Sequence, residues 1–147
     1  MIAYDMDAPE ALLADLSGVI QYFDRTSYDL NFAETCLLMG LSAHQSRNTA
    51  AAQHWLKSGF EKAQQGNYTF FPLLKPEILA RAIVLFVSLL PATPLQNYLL
   101  TLTSRCDPSF VKQALNERLT DMKKQERQKS LDALHPIYKQ ALPHLNI

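Results

Sequence analysis

The chain has 147 residues, 48% of them apolar, with fourteen basic and fourteen acidic side chains and therefore no net charge. That length and apolar content exclude a disordered polyelectrolyte and suffice for one domain with a real core, and a neutral total argues against a nucleic-acid binder, which more often carries a basic excess. The charge is unevenly spread: residues 1–35 hold seven acids against Arg25 alone (−6), and the rest holds seven acids against thirteen bases (+6), a polarity that bears on association rather than on fold.

The opening Met1–Glu10 is acidic and lacks a basic leader followed by an apolar core, so no secretory signal is expected there. Asp7, Pro9 and Glu10 form a helix start, and Leu12, Leu13, Leu16, Val19, Ile20 and Phe23 share one face of a predicted helix over 8–24. A break at Arg25-Thr26-Ser27 leads into the central stretch, 33–63, which reads as two helices in an antiparallel hairpin. The first, Ala33 to Gln45, carries Cys36, Leu37, Gly40, Leu41 and His44 at helical spacing. The second, Thr49 to Ala63, carries Ala51, Ala52, Trp55, Leu56, Gly59, Phe60 and Ala63, and Ser46-Arg47-Asn48 joins the two. Gly40 sits mid-helix, where it costs about 1 kcal/mol against Ala, a cost that makes sense if a bulky neighbour approaches its backbone.

Gln64-Gln65-Gly66-Asn67 is a helix stop. Tyr68 to Pro72 is expected to be an extended connection, since no second strand is available to pair with it. Pro76-Glu77 opens an apolar helix that ends before Pro91 and is expected to be the most buried element. Its longest apolar run, Ile78 to Leu90, is broken by Arg81 and too short to cross a bilayer. A short helix from Leu95 to Ser104 follows. Asp107-Pro108 then starts a long helix with Phe110, Val111, Ala114, Leu115, Leu119 and Met122 turned inward. Lys123 to Lys129 has no apolar side and reads as a solvated helical extension or a hinge. Leu131, Leu134, Ile137, Tyr138, Ala141 and Leu142 resume an amphipathic stripe interrupted by Pro136. The expectation is an all-α single domain over 1–147, with six or seven helices in stacked antiparallel hairpins and C-terminal helices over 77–142.

Specific chemistry is sparse. No glycine-rich phosphate loop is present among four scattered glycines, and no His or Cys pair has zinc-ligand spacing. Cys36 and His44 lie two turns apart, too far for a nucleophile and its base, and both Cys36 and Cys106 read as small apolar side chains in a reducing compartment. No enzyme, cofactor or metal is expected. What the sequence offers is a surface. In the tetratricopeptide-like register that the spacing of Gly40, Ala52, Leu56 and Gly59 resembles, Glu34, Leu37, Leu41, His44 and Gln45 fall at positions that face the groove of such folds, and the apolar leucines there are covered either by a helix of another chain or by a neighbouring helix of the same chain. A regulatory protein touching nucleic acid through segment 123–129, and a general helical-repeat scaffold, are the alternatives.

The spacing of Gly40, Ala52, Leu56 and Gly59 resembles a tetratricopeptide unit, with Cys36, Ala43 and Gln64 standing where that pattern has Trp, Tyr and Pro. Phe32-Ala33-Glu34, Gly40, His44 and Trp55-Leu56, together with Arg105, Asp107 and Pro108 ahead of an amphipathic last helix, resemble the tetratricopeptide-like chaperones of type III secretion needle subunits. The resemblance covers about a third of the chain. An added acidic N-terminal helix, a longer C-terminal tail and a shorter middle connection depart from it. It implies a non-catalytic cytoplasmic chaperone, a helical client held in the groove, a second small chaperone as further partner, and no membrane.

Overall fold

A computed structural model describes residues 29–90, 93–122 and 124–141, with the side chains of 124–130 and of Ala141 outside the description. The helix expected over 8–24 lies outside the described residues. The fold is all-α. Among the described residues there are six helices: α1 Asp29–Gln45, α2 Thr49–Gln65, α3 Pro76–Leu89, α4 Gln96–Ser104, α5 Pro108–Asp121 and α6 Lys124–Ala141. They group into two compact units that meet in sequence at Leu74 and Lys75.

In the first unit, α1 and α2 form the antiparallel hairpin, and both ends of the connection are built from backbone chemistry. Arg47 takes a left-handed φ of 59°. The amide of Arg47 then donates to the His44 carbonyl (3.0 Å) and that of Asn48 to the Ala43 carbonyl (2.9 Å), the paired bonds that close a helix C-terminus. Asn48 at once caps the next helix, its side-chain oxygen accepting from the Ala51 amide at 3.1 Å. One residue ends α1 and begins α2, so three residues suffice for the turn.

The end of α2 repeats the device. Gly66, the residue that marks the stop in the sequence, stays right-handed, and Asn67 supplies the left-handed φ of 54°. The amides of Asn67 and Tyr68 donate to the carbonyls of Gln64 and Ala63. Asn tolerates this conformation through its short polar side chain. Gly66 instead leaves room for the Tyr68 ring, which a Cβ there would displace.

The hairpin interface is a reciprocal exchange of small and large residues. A Cβ placed on Gly40 would lie 2.5 Å from Leu56 Cγ and 3.2 Å from the Leu56 backbone nitrogen. One on Gly59 would lie 2.9 Å from Leu37 Cδ2 and 3.0 Å from the Ala33 carbonyl oxygen. Each helix thus lends a glycine to the other's leucine, and the backbones approach at both places. Ala52, Leu56, Gly59, Phe60 and Ala63 form the buried stripe of α2. Trp55 lies at its edge, half-buried, edge-on to His54 with centroids 4.9 Å apart. At the open end Lys62 pairs with Asp29 at 3.5 Å and lies over the Phe32 ring at 5.8 Å.

The second unit is organised on α3, which packs on α5, α6 and α4. Pro76 fits the first turn, where its missing amide costs nothing. Ile83, Val84, Phe86, Leu99, Leu102, Leu115, Leu134 and Ile137 form its core. Arg81 and Glu117 join α3 to α5 by a two-pronged pair (3.1 and 3.2 Å), and Arg118 Nε donates to Ser88 Oγ at 2.7 Å. Asp107 caps α5 by accepting from the Ser109 amide and hydroxyl. Met122, buried and extended with ψ 146°, ends α5, and α6 begins at Lys124. The basic run is therefore the opening of a separate helix. Pro136 does not interrupt that helix, which continues to Ala141.

The most buried helix is α1 rather than α3: every residue from Ala33 to Ala43 is buried. Its composition explains this. Between Asp29 and His44 the only Asp, Glu, Lys or Arg is Glu34, so α1 has no charged face to offer.

Candidate functional site

The expected groove residues belong to α1, and burial decides their role. Leu37 is 0% and Leu41 5% exposed, and Leu37 meets Gly59 inside the hairpin. His44 and Gln45 are half-buried in the last turn. Among the described residues no open groove lies at Glu34, Leu37, Leu41, His44 and Gln45: both leucines are buried, Leu37 against the small Gly59 of α2.

Glu34 has a structural task that its sequence position does not announce. It is 1% exposed, and its Oε2 accepts the Leu73 amide at 2.6 Å, thirty-nine residues on. The Leu74 amide also points to the carboxylate, while Oε1 is buried with no hydrogen-bond partner among the described residues. The carboxylate thus fastens the connection after α2 to the start of α1. Burial pushes its pKa above the ordinary 4.5, outweighing the backbone donors that pull it down.

The sign of the pH dependence follows. A carboxyl raised on folding contributes stability fully present below its unfolded pKa and lost as pH rises through the folded value. Glu34→Gln keeps an acceptor for Leu73 and removes the desolvated charge. Its unfolding free energy is therefore expected to stay within about 1 kcal/mol of wild type at acidic pH and to lack this decline, measured by urea melts from pH 4 upward. Glu34→Ala instead strands the Leu73 amide and is expected to cost about 1–3 kcal/mol.

An open apolar feature lies on the second unit. α6 brings Leu131, Leu134, His135 and Tyr138 to one side at helical spacing, and α5 brings Leu115 and Leu119, one turn apart. Together with Asp132 they line a cavity of about 220 Å³. Leu115 and Leu134 form its buried floor, Leu119 and Tyr138 are half-buried walls, and Leu131 stands at the mouth, 41% exposed. Asp132 and His135, both exposed, supply the polar rim. An apolar pocket with a polar edge of this kind can accept an apolar side chain. The α5 and α6 stripes were visible in the sequence, but that they leave a gap between them depends on the break at Met122.

Catalytic geometry is sparse. Among the described residues no three His, Cys, Asp or Glu side chains gather as metal ligands would. Cys36 is buried, and Cys106 donates its thiol to the Leu102 carbonyl at 3.4 Å, with burial pushing its pKa up. No described helix is long and apolar enough to cross a membrane. No protein-family model, no curated protein and no solved structure matches the chain.

Proposed function

We propose that this protein is a non-catalytic chaperone or adaptor that holds an amphipathic helix of another chain in the groove between α5 and α6. The observation that supports this reading is the groove itself: an apolar cavity of about 220 Å³, open at Leu131. The resemblance of the first half to tetratricopeptide-like secretion chaperones supplies the client class, a type III secretion needle subunit whose amphipathic end needs cover in the cytoplasm, with a second small chaperone completing the complex. The client-binding side chains on this reading are Leu119, Leu131 and Tyr138 rather than those of α1.

Leu131→Asp tests it. The side chain is already at the surface, so the thermal melt should be unchanged. A charge facing the client's apolar side should weaken capture of a co-expressed needle subunit by about 30-fold or more, read by pull-down and titration. Capture by Leu131→Asp at wild-type affinity, or no complex with wild type, would overturn the reading, and nucleic acid in the purified protein would favour the basic opening of α6 instead.

A further inference from the structure

The described residues hold two large apolar side chains in the open: Leu131 at 41% exposure and Phe70 at 75%. Phe70 lies on the connection between α2 and α3, and the residues that follow it are pinned. Phe71 and Leu74 are buried, the Leu74 amide donates to the Phe71 carbonyl at 3.2 Å, and the Leu73 amide is held by Glu34. The ring therefore projects from a fixed turn. An anchor presented in this way loses little conformational freedom on binding.

The chain also carries a cavity suited to such a ring. A dry apolar cavity of about 150 Å³ accepts benzene, and the α5–α6 groove offers about 220 Å³ walled by Leu115, Leu119, Leu134 and Tyr138. Charge agrees with the pairing: Lys75 is exposed and is the one Asp, Glu, Lys or Arg from Asn67 to Lys75, and Asp132 is exposed on the groove's rim.

We propose that Phe70 of one copy inserts into the α5–α6 groove of a second copy, so that the protein associates with itself through the surface that takes the client. This rests on the groove being a docking surface, as the proposed function does. One ring buries about 150–250 Å², far below the roughly 1,200 Å² of a stable standard interface, so the association is weak and concentration-dependent, and a client displaces it.

Sedimentation velocity on the full chain from about 10 µM to about 1 mM, the range of weak contacts, tests this. Wild type should shift above the monomer with concentration. Phe70→Ser and Leu131→Asp should each remain monomeric, with unchanged melts. Their equimolar mixture should associate again, because the first keeps an intact groove and the second an intact ring. Wild type monomeric throughout, Phe70→Ser associating like wild type, or an inert mixture would each overturn the proposal. Client capture by the same variants separates the two readings. If Phe70→Ser binds client while wild type never self-associates, the inference alone fails. If Leu131→Asp also binds client, the groove fails with it.

Discussion

Gly40→Leu is expected to lower the free energy of unfolding by about 1–3 kcal/mol, although leucine is the better helix former by close to 1 kcal/mol. Propensity loses because even the first added carbon has no room. A Cβ at 40 falls 2.5 Å from Leu56 Cγ and 3.2 Å from the Leu56 nitrogen, so part of the obstruction is backbone. Moving α2 outward would loosen the second contact as well, where Gly59 receives Leu37. Coupling between the two sides is measurable. Leu56→Ala alone should cost about 2–5 kcal/mol through the cavity it leaves, and Gly40→Ala alone should cost energy through the clash. The double variant should cost less than their sum, because the new methyl enters the space the leucine vacated. Urea melts of the four proteins give the coupling, and strict additivity would mean that residues 40 and 56 do not touch.

That prediction was legible in the sequence, and the reason is local. A mid-helix glycine, a short polar turn and a second helix with small residues in register constrain one another within thirty residues, and the structure has Gly40 facing Leu56. Caps were equally readable: Asp107 with Pro108, and Pro76 with Glu77, stand where the pattern puts them. What sequence periodicity does not carry is which side of an apolar helix stays open. The stripe Cys36, Leu37, Gly40, Leu41 suggests one buried face, yet Thr35, Leu38, Met39, Ser42 and Ala43 are buried too. Small polar residues such as Ser42 and Thr35 read as a polar face by type but are compatible with burial, Thr35 donating to the Asn31 carbonyl at 2.8 Å. Glu34 was missed for the same reason, since its partner, Leu73, is remote in sequence and a backbone amide has no signature. Trp55 erred the other way. Spacing groups it with the apolar stripe of α2, but it lies at the edge of that stripe, one residue ahead of the buried Leu56.

Leu37→Asp/Leu41→Asp is expected to abolish the cooperative melt altogether. Both side chains are buried, at 0% and 5% exposure. Leu37 lies over Gly59, so an aspartate there would be buried between the two helices. Each substitution removes a buried leucine, at about 2–5 kcal/mol, and adds a carboxylate that must stay protonated or open the hairpin. Two such losses compare with the roughly 5–15 kcal/mol that holds a whole domain. Leu131→Asp is the matched control: the same chemistry, a comparable helix position, but a side chain at the mouth of a groove, so its melt should survive. Circular dichroism during heating of both variants decides between two locations for the docking surface. If the α1 double variant melts cooperatively near the wild-type temperature while Leu131→Asp does not, the leucines of α1 lie on a face that opens, and the groove at Glu34, Leu37, Leu41, His44 and Gln45 replaces the one between α5 and α6. The opposite outcome, an unfolded double variant beside a folded Leu131→Asp, leaves α1 as the core that the Gly40–Leu56 and Leu37–Gly59 contacts require.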